Sequence, residues 1–456
     1  MSVPSKNKNL LKLSSHSHVI PVKKGVFALW NSLWLRTIFI TDESIDLIRH
    51  LQEGTRLEDL LSIDTVNKSE LFELISAIDS ENFFESSQDA KKIQEIRATA
   101  SAQPISIMYL ILSKSCNLRC TYCYVSDALS DKTDDSLMQR NTAEKAIDLF
   151  SELIKESPFV KPKIIFYGGE PLLNLPTLEF ALEYASKKIS NCEFSINSNG
   201  LLVNESVAKL LHQYNVAVGL SMDGQPEIHD KFRKNHANKG TFSKVLKTYN
   251  LLREQHVPVS ISCTVTSINA EKLPSITQWF LDELNPDVVD FNLLIGKYAG
   301  DEYAENATSG IIESYKLLRD KGVYVDKMLR RVKAFVNGEI RLFDCGGSGQ
   351  QIVCTPDNKI GVCQAFLNSG EYFYPIEEMT TQKIEKSWSK WKQRTPFNIE
   401  TCLGCEALGI CGGGCYYSSY IESGDIMGLD KKHCILVKKT LRLLLSELFD
   451  EQSSLA

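Results

Sequence analysis

No stretch of this 456-residue chain is long and apolar enough for a membrane span, which takes roughly 18 consecutive apolar residues. The opening residues, Met-Ser-Val-Pro-Ser-Lys-Asn-Lys-Asn, lack the apolar core of a secretory signal. Positive charge is not in excess either, since 51 Lys and Arg against 57 Asp and Glu give a formal net charge of -6. These absences predict a cytoplasmic protein with neither nucleic acid nor membrane as a partner. Thiols stay reduced in that compartment, so the 13 cysteines point to metal rather than to disulfides. The 43% hydrophobic fraction is enough for real cores, and the length predicts two or three domains.

The cysteines are unevenly spread. Three lie at Cys116, Cys120 and Cys123, within Ser-Lys-Ser-Cys-Asn-Leu-Arg-Cys-Thr-Tyr-Cys-Tyr, and eight fall between Cys345 and Cys434. Cys192 and Cys263 stand alone on apolar runs and read as buried structural thiols. The β-branched run 105–112 reads as a buried strand, so the first three thiols sit on the loop leaving a strand end. That is where an α/β barrel builds its chemistry. Three soft thiolates from one short turn suit an iron–sulfur cluster. A four-iron cube held by three of them leaves one iron open to a small molecule. Zinc also fits such thiols, provided a fourth ligand comes from elsewhere.

The C-x3-C-x2-C loop, with Tyr122 before its last cysteine, resembles the signature of radical S-adenosylmethionine (SAM) enzymes. Tyr167-Gly168-Gly169-Glu170-Pro171, at the end of the next apolar run, resembles their Gly-Gly-Glu-Pro motif. The resemblance implies an oxidoreductase in which SAM chelates the open iron of a [4Fe–4S] cluster. Reductive cleavage then yields a 5′-deoxyadenosyl radical that abstracts hydrogen from a substrate. Cys116, Cys120 and Cys123 would be the catalytic cluster ligands. Tyr122, Gly168, Gly169, Glu170, Ser198, Asn199, Ser221, Asp223 and Arg233 would line the SAM site. Arg233, in His-Asp-Lys-Phe-Arg, is expected to meet the SAM carboxylate, since a guanidinium fork binds carboxylates bidentately.

The expected fold is α/β: a partial (β/α)6 TIM barrel, with a winged-helix-like module before it and a Cys-rich region after it. Alternation predicts strands at 105–114, 162–167, 192–197, 216–222, 258–266 and 287–294, with helices between them. A polar tail is expected over 1–15. The module spans 16–98, with short strands and then three helices. Gly54 ends its first helix, and Thr55 with Glu58 forms a capping box for the second. Its order is similar to the precursor-peptide recognition element of ribosomal-peptide maturases, where a leader peptide adds a strand to a sheet edge. A plain cap or a DNA-binding winged helix has the same outline, but the module carries no basic stripe. Residues 86–102 read as a linker, 103–310 as the barrel, 311–340 as a helical connection and 341–456 as the Cys-rich region.

That last region contains Cys345, Cys354 and Cys363, then Cys402-x2-Cys405-x5-Cys411-x3-Cys415, and finally Cys434. It resembles the SPASM extension of peptide-modifying radical SAM enzymes, which holds two auxiliary [4Fe–4S] clusters, three in all. The resemblance implies one cluster on Cys402, Cys405, Cys411 and Cys434, and another on Cys345, Cys363 and Cys415. Cys354 is either a fourth ligand of the second or a buried thiol. Asn358 stands where the pattern has a glycine, and Asn tolerates the left-handed backbone required.

The resemblance implies a maturase that installs a thioether or carbon–carbon crosslink in a ribosomally synthesised precursor peptide carrying a leader. A reducing partner such as flavodoxin or ferredoxin would supply its electron. The alternative enzyme is an anaerobic sulfatase-type maturase that makes formylglycine. Gln364 opposes it, standing after Cys363 where that subfamily has an aspartate base. A non-catalytic iron–sulfur carrier or peptide-binding scaffold is the alternative of another class, and it has no use for an open-iron loop.

Overall fold

The computed structural model describes residues 10–62, 67–130, 134–155, 160–295 and 301–455. The first nine residues of the expected tail lie outside them. Its remainder differs from expectation. Leu11 and Leu13 are buried, Leu11 pairs with Thr55, and the Leu13 N–H donates to the Leu51 carbonyl at 2.8 Å. Burying two alternating leucines outweighs the polar residues around them. Because the Thr55 backbone is held in that pairing, the expected capping box does not form. The helix Leu57–Leu61 starts after Arg56 without a side-chain cap.

Three antiparallel strands follow, β1 (Ser17–Lys23), β2 (Val26–Asn31) and β3 (Arg36–Thr41), in the order β1-β2-β3. Alternation along a strand sends successive side chains to opposite faces. Val19, Leu29 and Ile40 therefore pack on Ile48, Leu51, Leu71, Ile75 and Ile78 of the helices Asp42–Glu53 and Lys68–Ser80. Gly54 closes the first of these at φ +93°, a conformation that glycine adopts readily. Ile20, Ala28 and Trp30 face the other way, onto Ile410, Val437 and Leu441 of the C-terminal region.

Residues read as a linker instead form the helix Ser87–Ser101, with the Ser86 hydroxyl accepting from the Gln88 N–H at 3.2 Å. Its apolar stripe is narrow. Ile93 and Ile96 pack on Leu33, Phe397 and Leu408, and the buried Asp89 accepts from Ser14 Oγ at 2.6 Å and Trp34 Nε1 at 2.8 Å.

Six parallel strands then run in sequence order, β4 (Ile107–Ser113), β5 (Lys163–Gly168), β6 (Glu193–Ser198), β7 (Ala217–Ser221), β8 (Val259–Val265) and β9 (Val289–Leu293). All six fall on the expected stretches. The C-terminal region extends this sheet, a feature not foreseen. β10 (Gln351–Cys354) adds parallel to β4, and β11 (Lys359–Gly361) and β12 (Tyr374–Pro375) follow antiparallel, giving nine strands in all. Asn358 in the β10–β11 turn has φ +53°, as its place required.

One face of the barrel strands (Met108, Leu110, Phe166, Ile196, Leu220, Ile261, Phe291) packs on the helices Arg140–Lys155, Leu175–Lys188, Glu205–Gln213, Phe242–Glu254 and Leu273–Trp279. The alternate residues, among them Tyr109, Tyr167, Ser221, Ser262, Thr264, Asp290 and Asn292, line a polar lumen. The helix Asp326–Asn337 covers the β9 side, where Lys327 Nζ donates to Asn292 Oδ1 at 3.4 Å. Among the described residues no helix is long and apolar enough to cross a membrane.

Candidate active site

The loop carrying Cys116, Cys120 and Cys123 leaves the end of β4, and the residues after β5 clamp it. The Gly169 N–H donates to the Ser113 carbonyl at 2.8 Å, and the Glu170 N–H to the Ser115 carbonyl at 2.9 Å. A Cβ at Gly168 would stand 2.2 Å from the Ser113 oxygen, and one at Gly169 would stand 2.3 Å from the Ser115 oxygen. Both glycines are therefore required by close approach of two backbones. The Glu170 carboxylate is buried and accepts from Leu172 N, Ser198 Oγ and Asn199 N at 3.1, 2.9 and 2.9 Å. Burial pushes its pKa up to about 7, against the pull of those three donors. Glu170 thus ties the end of β5 to the end of β6. Asn199 reaches back to the cysteine loop, its Nδ2 donating to Asn117 Oδ1 at 2.7 Å and to Cys116 Sγ at 3.9 Å.

Asp223, just past β7, is fully buried. It accepts from Arg233 Nε at 2.9 Å, Arg233 Nη2 at 3.3 Å, the Thr264 N–H at 3.0 Å and the Tyr122 hydroxyl. Arg233 holds the Asp223 carboxyl below its usual range, although desolvation opposes this. Arg233 was expected to meet the carboxylate of SAM, and here it meets the carboxylate of Asp223. His229 supports the group, with its ring nitrogens 3.4 Å from Asp223 N and 3.1 Å from Thr241 Oγ1. Ser221 lies on the lumen face at the end of β7. The strand-end residues Gly168, Gly169, Glu170, Ser198, Asn199, Ser221 and Asp223, with Tyr122 of the cysteine loop and Arg233 after the helix Pro226–Phe232, thus border one mouth.

The thiols fall into three groups by the neighbours they feel. Cys116 is influenced by Cys120 and Cys123. Cys363 is influenced by Cys415 and Cys345. Cys434 is influenced by Cys402 and Cys405, and Cys411 by Cys434. Cys354 belongs to none of them, which corrects its expected place among the cluster ligands in favour of the buried-thiol alternative. It is buried in β10 opposite Leu110 of β4, and burial alone pushes its thiol up to about 12. A strand-interior residue facing the barrel helices is held too far inside to serve as a loop ligand. Cys263 is likewise buried, and Cys192 is half-buried.

The donor sets fit iron–sulfur clusters. Burial pushes Cys116 and Cys434 up to about 12, so these groups become thiolates only when a cationic centre holds them. Backbone N–H groups already point at sulfur, Leu118 N at Cys116 Sγ and Gly413 N at Cys411 Sγ, each at 3.4 Å. Gly412, Gly413 and Gly414 all have positive φ, which wraps the chain around that last group. Among the described residues no three His, Cys, Asp or Glu side chains converge on a single-ion site, whereas a cube takes thiolates spread around a cluster.

Sequence reasoning missed the buried cations beside these thiols. Arg331 donates to Asp344 Oδ1 at 2.8 Å, next to Cys345, and Arg394 donates to the carbonyls of Gly413 and Gly428 at 2.7 and 3.1 Å. Both are fully buried. No local pattern marks either, because their partners lie on other segments.

Comparison with known proteins agrees with this arrangement. The family model described as the radical SAM superfamily matches residues 110–279. The radical SAM cyclopropyl synthase TigE of Paramaledivibacter caminithermalis is 23% identical over 473 residues, covering 96% of each chain. The cysteine-type anaerobic sulfatase-maturating enzyme of Clostridium perfringens is 28% identical over 349 residues, covering 68% of this chain and 89% of that enzyme. The crystal structure of Streptococcus suis SuiB bound to its precursor peptide SuiA shares the fold, with a TM-score of 0.52 at 15% identity over 93% of this chain and 99% of that one. The chain carries a radical SAM domain over residues 110–279. Its cofactors are SAM and the [4Fe–4S] cluster, and its cysteine-rich C-terminal region fits a SPASM domain with auxiliary clusters.

Proposed function

We propose that this protein is a maturase that removes a hydrogen atom from a ribosomally made precursor peptide and forms a carbon–carbon bond in it. The observation that carries the reading is the arrangement of thiols. One group sits at the mouth of a polar six-strand lumen, and two further groups sit in a region that contributes β10 to the same sheet. The full-length likeness to a cyclopropyl synthase favours a carbon–carbon bond over a thioether.

In this reading Cys116, Cys120 and Cys123 hold the first cluster. Cys345, Cys363 and Cys415 hold a second, and Cys402, Cys405, Cys411 and Cys434 a third. When bound, the first cluster and SAM supply a 5′-deoxyadenosyl radical at the lumen mouth. The chain's own work is placement. The Gly168–Glu170 segment fixes the cysteine loop, and the carbonyl of Gly169 accepts no hydrogen bond among the described residues, which suits it to the SAM ammonium. Asp223 locks Arg233 and Tyr122 beside Cys120. The half-buried polar lumen walls exclude bulk water from the reacting carbon. The free edge of β3 would take the leader as an added strand and so raise the local concentration of the peptide core. A flavodoxin or ferredoxin would approach the exposed side of the cysteine loop, around Arg119 and Lys239.

The likeness to a sulfatase-maturating enzyme supports formylglycine synthesis as a second reading. It lacks a base at Gln364, whose Oε1 accepts weakly from Gln351 Nε2 at 3.4 Å. The test is incubation of anaerobically reconstituted protein with SAM, reductant and precursor peptides encoded beside it. A peptide lighter by two hydrogens, together with released deoxyadenosine, is expected. Deoxyadenosine release alongside an oxidised cysteine or serine side chain would replace this reading with the second.

A further inference from the structure

Forming one bond between two peptide atoms that each carry hydrogen removes one hydrogen atom, one electron and one proton. The radical accounts for the atom, and the proton needs an acceptor inside the lumen. Three lumen or strand-end carboxylates are candidates among the described residues. Glu170 is held by three donors, and Asp223 by Arg233, Tyr122 and Thr264. The third is Asp290.

Asp290 lies on β9 between Val289 and Phe291, which pack outward into the core, so its side chain takes the lumen face. Ser262 is its register partner on β8, and Ser221 is the partner of Ser262 on β7. The stagger of the sheet thus puts Asp290 in the same layer as the strand ends that border the mouth. Asn292, one layer on, donates to Ser262 Oγ at 3.0 Å, which confirms the face. Asp290 is half-buried and has no ion-pair partner among the described residues. The Asp326 N–H, at the start of the neighbouring helix, is directed toward it. Asp326 itself is paired with Arg330, which donates to the Asp344 carbonyl at 2.7 Å beside Cys345.

We propose that Asp290 is the catalytic base of bond formation, an inference that rests on the maturase reading. The peptide carbon that has lost its hydrogen atom joins a second peptide atom. The bond from that atom to hydrogen breaks, and the proton passes to the Asp290 carboxylate. The one surplus electron passes to an oxidised iron–sulfur cluster of the kind proposed at Cys345, Cys363 and Cys415. Arg330 pairs with Asp326, whose N–H lies at Asp290, and donates to the Asp344 carbonyl beside Cys345, so it joins the helix packed on the proton acceptor to the loop of the electron acceptor.

Burial, and then Asp326, push the Asp290 carboxyl upward, while Lys327 and Arg330 on the same helix pull it down. Tyr324 on the turn before that helix also faces it. A carboxyl raised toward the working pH is a better proton acceptor than an ordinary one.

The test compares iron-loaded wild type, Asp290→Asn and Asp290→Glu, each first shown to have the same iron content and circular dichroism. The amide in Asp290→Asn keeps an acceptor for the Asp326 N–H but takes no proton. The ratio of modified peptide to deoxyadenosine should fall by about 100-fold or more in Asp290→Asn and recover in part in Asp290→Glu. The acid limb of product formation, set above the ordinary carboxylate range in wild type, should vanish in Asp290→Asn. An unchanged ratio overturns the proposal. Infrared titration of the carboxyl band that Asp290→Asn removes gives a second arm independent of turnover, and a band that titrates at the ordinary carboxylate value also overturns it. Wild type that cleaves SAM but alters no peptide sinks the maturase reading and leaves the infrared arm to judge Asp290.

Discussion

Trp30 is the residue through which the N-terminal sheet is fastened to the last group of thiols. It is 1% exposed, stacks on Phe335 at 5.3 Å, and donates its indole N–H to the Glu406 carbonyl at 2.7 Å, one residue from Cys405. Cys405 and Cys411 pack against the same apolar cluster. Replacing Trp30 by Ala removes a fully buried ring, at a cost of about 3–5 kcal/mol. The Glu406 carbonyl, left without its donor, adds about 1–3 kcal/mol. The total approaches the whole stability of an ordinary domain, ~5–15 kcal/mol. Trp30→Phe keeps the stacking and loses the donor, for the same ~1–3 kcal/mol. Urea unfolding under anaerobic conditions, read together with iron per chain, measures both effects. We expect Trp30→Ala to lose about four irons of about twelve, from the group at Cys402 to Cys434, while the first loop still cleaves SAM. A variant that keeps all its iron and is destabilised by less than about 1 kcal/mol would show that the sheet is no part of that site.

Wild type should carry about twelve irons after anaerobic reconstitution, and a count near four would leave only the first cluster standing. Replacing Cys116, Cys120 and Cys123 together by Ala should end deoxyadenosine formation yet leave the auxiliary clusters visible by spectroscopy; continued release would place the chemistry elsewhere. Gly169→Ala should displace the cysteine loop, because its Cβ would meet the Ser115 oxygen at 2.3 Å, and SAM affinity measured by calorimetry should drop at least tenfold. His18 has its pKa lowered to about 4, first by burial. A lowered value favours the neutral ring in the folded protein, so its stabilisation is present above the unfolded value near 6.5 and is lost as pH falls toward 4. Melting temperature should therefore decline more steeply over that interval in wild type than in His18→Gln, and equal slopes would refute the burial argument.

The six barrel strands were legible because each is a short apolar run, such as 107–112 or 164–166, set between stretches with a helical stripe. Spacing showed two concentrations of cysteine, and the division of the second into two groups came from the resemblance to a SPASM region. The role of Cys354 was not, because a thiol in the right region looks like a ligand until strand pairing turns it into the core. The helix Ser87–Ser101 was hidden by its polar majority, with only Ile93 and Ile96 to mark its buried side. The pairing of Arg233 with Asp223 was not legible, since no local pattern shows that two residues ten apart in sequence meet across the end of β7. The seating of the N-terminal sheet on the loop near Cys405 was invisible for a simpler reason. It joins residues too far apart for any periodic pattern to link them.

That separation bears on how the protein is made. Trp30 and Glu406 are 376 residues apart, and β4 waits for β10, from the far end of the chain, to cover its edge. Ribosomes add roughly 5–20 residues per second, so the indole of Trp30 goes without its partner for some tens of seconds. The thiol groups interleave as well, since Cys415 belongs with Cys345 and Cys363 while its neighbours Cys411 and Cys434 belong together. In the proposed ligation one C-terminal group is complete only when Cys415 has left the ribosome, and the other only when Cys434 has. Metal loading of both is therefore a late event: a chain stalled before β10 would leave the β4 edge unpaired, and one stalled before the final helix would present Cys402, Cys405 and Cys411 without Cys434 to any oxidant present.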